Sequence, residues 1–183
     1  SNLSTKQKVE DINACSDECL LIIQKNKNIS VVEAFVVGPP MQKAAWKTKP
    51  TIRICSSTKL PILRAQKAAR YWERLGYEFD RVSMDYNINC MEPKYGEIII
   101  TLPEGNIDPE HIAATRIYTR SGTLNIAMAK IFIYPKEVRK QRVVEHELGH
   151  ALGWTHYNQK YHIMHPIWHL GGFNSSGLRK SVD

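Results

Sequence analysis

Two hydrophobic periods alternate along the chain. Behind Ser4 and Gln7, a capping-box pair, Val9, Ile12, Cys15, Cys19 and Ile22 recur at helical spacing and predict an amphipathic helix over residues 4–25. Asn26-Lys27-Asn28 breaks it. Residues 29–37 are rich in β-branched side chains and predict a strand, ended by Gly38-Pro39-Pro40, and residues 41–50 read as a connector. Thr51–Cys55 alternates as a strand does. Thr58 and Pro61 then suit the start of a helix with the stripe Ala65, Ala68, Trp72 and Leu75, stopped by Gly76. Residues 77–84 predict another strand. Residues 97–102, with Ile98-Ile99-Ile100, have the continuous apolar run of a strand buried on both faces. Pro103-Glu104-Gly105 begins a loop. Residues 112–119 and 124–134 predict two further strands about a turn at 120–123, and Pro135 is expected to start a last helix. There Val144, Leu148 and Ala151 should face the core.

This order makes the fold class α/β (α+β): a twisted mixed sheet of about five strands, one backing helix, and a second helix leading to a short C-terminal tail. Residues 1–50 read as an N-terminal extension and residues 51–183 as the main domain. With 183 residues and 43% hydrophobic content the chain can build one ordinary core. No apolar run approaches the ~20 residues that cross a bilayer. The net charge of +7 resides wholly in the first 75 residues, mostly between Lys43 and Arg74, with Arg64, Lys67, Arg70 and Arg74 on one helix face. Such a face can attract a polyanion, although a solvated surface is its commoner use. Cys15, Cys19, Cys55 and Cys90 allow three pairings if all are oxidised, and buried thiols if not; none forms C-x-x-C.

The chemistry concentrates in residues 146–156, which read H-E-x-x-H-x-x-G-x-x-H. His146 and His150, four apart, share one helix face and can meet one metal ion. Glu147 sits beside them. Gly153 suits a left-handed helix end, and the turn it permits returns His156 as a third ligand. Three nitrogens leave a fourth tetrahedral position open, the mark of a catalytic rather than a structural zinc site. Met164 follows eight residues later, in His162-Ile163-Met164-His165-Pro166.

The long motif with its downstream methionine resembles the metzincin clan of zinc metallopeptidases, and Met164 looks like their Met-turn. The resemblance implies a zincin-type sheet over about residues 51–168. It implies one catalytic Zn2+ on His146, His150 and His156, with Glu147 as general base for the water that attacks a peptide bond. It also implies an apolar floor at Met164 and a substrate-pocket wall at Pro166, as in matrixin-like and adamalysin-like members. Pro166 stands where astacin-like and serralysin-like members have a tyrosine. Tyr157, after the third histidine, matches none of these groups, so no subfamily is assigned.

The expected activity is that of a metalloendopeptidase acting on protein or peptide, with an extended substrate added to the edge of 112–119. The alternative is a zinc-containing binding module, non-catalytic or latent, that uses its basic face at 43–74 for a polyanion; nucleic acid is the less favoured partner. A secreted or extracytoplasmic location is expected, its signal lying outside these residues. Cys15, Cys19, Asp17 or Glu18 could fill the open metal position as a pro-segment does, but packing of the N-terminal helix on the sheet is favoured. His111, His162, His165 and His169 are expected as partly exposed loop residues, and Trp154 and Trp168 as packing residues.

Overall fold

The computed structural model describes residues 12–14, 21–24, 39–105 and 111–182, the first two segments by their backbone alone. Seven strands form one sheet: β1 Ile12–Ala14, β2 Leu21–Gln24, β3 Thr51–Cys55, β4 Val82–Asp85, β5 Glu97–Thr101, β6 His111–Arg120 and β7 Ile126–Ile133. Five of them, β3 to β7, run in the order β4-β3-β5-β7-β6. β4, β3, β5 and β7 are mutually parallel, and β6 returns antiparallel to β7. β1 and β2 both pair antiparallel with β6.

Alternation assigns the two faces. Ile52, Ile54, Ile98, Ile100, Ala113, Ile117, Ala129, Ile131 and Ile133 point into the main core. There they meet α1 (Ile62–Glu73) and α2 (Val143–Ala151). α1 buries Ala65, Ala68 and Trp72 of the predicted stripe, together with Ala69, and the stripe's fourth residue, Leu75, is buried just beyond the helix end. On the opposite face Cys55 and Cys90 are joined by a disulfide beside Ile99. Lys130, buried on that face, is neutralised by Glu92 at 2.7 Å and by Glu104. Arg53 similarly reaches Asp85 at 2.7 Å and Glu97 at 2.9 Å. Buried charges persist there because each is paired. Ile98, Ile99 and Ile100 are all buried, as a central strand requires.

Several boundaries differ from expectation. Within the predicted 4–25 helix, Ile12–Ala14 and Leu21–Gln24 are strands. β6 is ten residues long and its outer backbone groups need partners, which outweighs a weak helical preference. The predicted strand at 29–37, Cys15 and Cys19 lie outside the described residues. Thr58 does not cap α1: its hydroxyl donates to Cys55 O in a preceding 3-10 turn, and Pro61 occupies the N-cap. The strand predicted at 77–84 starts only at Val82, because Tyr77 turns inward and its hydroxyl donates to Leu178 O. Pro135 opens a 3-10 turn, and α2 begins at Val143.

The stretch 41–46 is more than a connector. Lys43 N donates to Gly153 O, Thr155 N to Met41 O, and Ile126 N to Ala45 O. Gln42 Nε2 and Trp46 Nε1 donate to Leu152 O and Ala151 O, two carbonyls that end α2 without helical partners. Among the described residues no helix is long and apolar enough to cross a membrane.

Candidate metal centre

α2 is buried along its whole length, so its histidines stand inside the protein. Arg142, at φ 59, turns the chain into α2, and His146 N donates to Arg142 O in its first turn. Gly149 lies between the two helical histidines for a steric reason. A Cβ there would meet the Met164 sulfur at 2.5 Å and Trp72 Cζ2 at 2.6 Å. Gly153 ends the helix at φ 100, and a Cβ on it would be driven into Ala44 O. The chain then turns back, and Tyr157 N donates to Met164 O, which fixes His156 beside the helix.

Three Nε2 atoms converge. His150 Nε2 lies 3.0 Å from His146 Nε2 and 3.0 Å from His156 Nε2. The tautomers follow from the far side of two rings: His146 Nδ1 donates to Ile163 O and His150 Nδ1 to Trp154 O, each at 2.7 Å. A carbonyl only accepts, so both Nδ1 atoms carry hydrogen, and in the neutral ring Nε2 presents a lone pair. Burial holds His146 and His156 well below the usual histidine range and brings His150 down to about 3, so the rings are neutral. Lone pairs so close repel unless a cation lies between them. The three side chains could hold a metal ion.

Glu147 is fully buried beside them. Its Oε1 accepts from Thr115 Oγ1 at 3.2 Å. Its Oε2 has no hydrogen-bond partner among the described residues. Burial raises its pKa well above the usual carboxylate range, the Thr115 hydrogen bond opposing this only in part. Met164 is buried with its sulfur against Gly149 of α2, and Pro166 is buried in the same turn.

His162 and His165, expected as partly exposed loop residues, are buried instead. His162 Nδ1 accepts from Met164 N and its Nε2 donates to Ser176 O, so the ring props the turn. His165 Nδ1 accepts from Ile167 N, and burial lowers its pKa to about 4. His169 is exposed, and His111 opens β6. Trp154 is buried, with its Nε1 donating to the Tyr77 hydroxyl. Arg64 is withdrawn from the predicted basic face by a bidentate pair with Glu145, at 2.5 and 2.9 Å.

Two residues of the centre have no local signal in the sequence. Thr115 lies on the helix-facing side of β6 by simple alternation, but nothing local says that it meets Glu147. Arg142 carried no motif. Compared with known protein families and with curated proteins, the chain matches none.

Proposed function

We propose that the protein is a zinc-dependent endopeptidase of metzincin type, hydrolysing peptide bonds at the His146, His150 and His156 centre. What carries this reading is the juxtaposition of three Nε2 lone pairs with a buried carboxylate that has an unpartnered oxygen. Two nitrogens bound at about 2.0–2.1 Å to a tetrahedral zinc lie roughly 3.3 Å apart, close to the separations found here. An all-imidazole donor set also suits zinc better than calcium or magnesium, which prefer oxygen. A purely structural site has no use for Glu147.

His146, His150 and His156 would hold the zinc, which would supply Lewis acidity toward a scissile carbonyl and a water. The chain's own groups do the rest. Glu147 takes a proton from the attacking water and passes it to the leaving amine as the C–N bond breaks. Thr115 steadies one carboxylate oxygen, leaving Oε2 free for that transfer. The Nδ1 hydrogen bonds of His146 and His150 fix ring orientation and raise ligand basicity. Met164 closes the floor, and Pro166 belongs to the turn that would wall the substrate pocket. Strand addition at β6 would order an extended substrate, but β1 and β2 hold that edge. Access through it requires their displacement.

The deciding experiment is a peptide-library digest with and without chelator, run beside Glu147→Gln with zinc content measured. Expected is chelator-sensitive cleavage, with the variant keeping its zinc and losing roughly 10²–10⁴-fold in rate. A zinc-loaded Glu147→Gln of full activity would sink the assignment.

A further inference from the structure

Arg142 is a buried cation whose guanidinium faces backbone carbonyls. Its side chain is held almost wholly from water. Nη1 donates to Ile163 O at 2.7 Å, Nη2 to His165 O and Ile167 O at 3.0 Å each, and Nε to Trp168 O at 3.2 Å. One planar fork therefore gathers four carbonyls from the turn that contains Met164 and Pro166. The residue adopts φ 59 to do so, a conformation uncommon outside glycine and costly unless its surroundings enforce it. Gly171 closes over the fork, where any Cβ would overlap the guanidinium. Burial brings its pKa down only to about 10, so it stays charged at neutral pH.

The decisive contact is shared. Ile163 O accepts from Arg142 Nη1 and also from His146 Nδ1, each at 2.7 Å. The carbonyl that orients the first ring is thus itself held by the guanidinium, and Nη1 lies 3.4 Å from His146 Nδ1. Because Arg142 is also the N-cap of α2, it joins the helix carrying two of the histidines to the 163–168 turn.

We propose that Arg142 is a positioning residue for the metal centre: its fork sets the His146 ring and the 163–168 turn as one unit, and metal affinity depends on that geometry rather than on a positive charge. This rests on the metal-centre reading. Lysine would keep the charge but offers a compact ammonium, which cannot span four carbonyls in one plane. Partners that orient metal ligands typically change metal affinity by about 10–100-fold when removed.

The test is Co2+ titration of the full chain, reading the dissociation constant and the visible absorption of the bound ion, which reports coordination geometry. The native chain should bind one Co2+. Arg142→Lys should bind about 10–100-fold more weakly with an altered band, while circular dichroism shows it folded. Gly171→Ala, which crowds the fork while keeping the arginine, should shift both readouts the same way and serves if Arg142→Lys does not fold. Methylguanidinium, but not methylammonium, should restore Co2+ affinity to Arg142→Ala. Folded variants with native affinity and band would overturn the inference while leaving the metal centre standing. A native chain that binds no Co2+ would overturn the metal-centre reading and this inference with it.

Discussion

Gly153 and Thr115 act on the centre in opposite ways, one by lacking a side chain and the other by placing one. Gly153 combines φ 100 with contact against Ala44 O, so Gly153→Ala meets both backbone strain and a clash. It should cost about 2–4 kcal/mol of stability in urea unfolding and weaken metal binding by displacing His156. Thr115→Val should keep metal affinity but lower kcat roughly tenfold with little change in KM, since it frees Glu147 Oε1 at a cost of about 1–2 kcal/mol. A raised KM with unchanged kcat would contradict that role. The glycine was legible from its place in the motif. The threonine was not: alternation predicts its face but not the carboxylate above it. The positions of His162 and His165 are hidden from the sequence for a related reason. Their burial comes from the backbone turn they prop, to which hydropathy is blind.

At the scale of elements, β3, β5, β6, β7 and α1 lie close to where periodicity put them, because each buries an apolar face whose spacing is written locally. The N-terminal segment departs. Its apolar spacing fits a helix, yet β6 offers a long unpaired edge and Ile12–Ala14 and Leu21–Gln24 pair along it. Removing residues 1–38 should therefore raise kcat/KM on extended peptides while leaving metal content unchanged. Removal through residue 50 should abolish folding, because residues 41–46 bond to the end of α2 and to β7. Equal activity before and after the shorter cut would argue against a guarded edge. The Cys55–Cys90 disulfide closes a span of 35 residues, for which chain entropy gives roughly 3–4 kcal/mol. Cys55→Ser with Cys90→Ser should lower the urea midpoint accordingly.

For the molecule as a whole, buried neutral histidines couple stability to pH. His165, with a pKa near 4 when folded, and His162, also lowered by burial, take up protons more readily in the unfolded chain. Stability without metal should be full above the unfolded histidine pKa near 6.5 and fall as pH drops toward 4. Thermal melts in chelator across pH 7.5 to 4.5 should show that decline, and a flat profile would exclude it. At pH 7.5, zinc at 100 times its dissociation constant should add about 2.7 kcal/mol, roughly 5–10 °C in Tm.

The amino-acid sequence alone determined the histidine triad, the glutamate, the helix-ending glycine and the main strands, because spacings of three and four residues or alternation carry them within a single element. Only tertiary structure decided which strands adjoin, that β6 is covered, that Thr115 reaches Glu147 and that Arg142 gathers the turn around Met164. The Thr115 and Arg142 contacts join residues more than twenty apart, and the carbonyls that Arg142 gathers have no residue-specific signature.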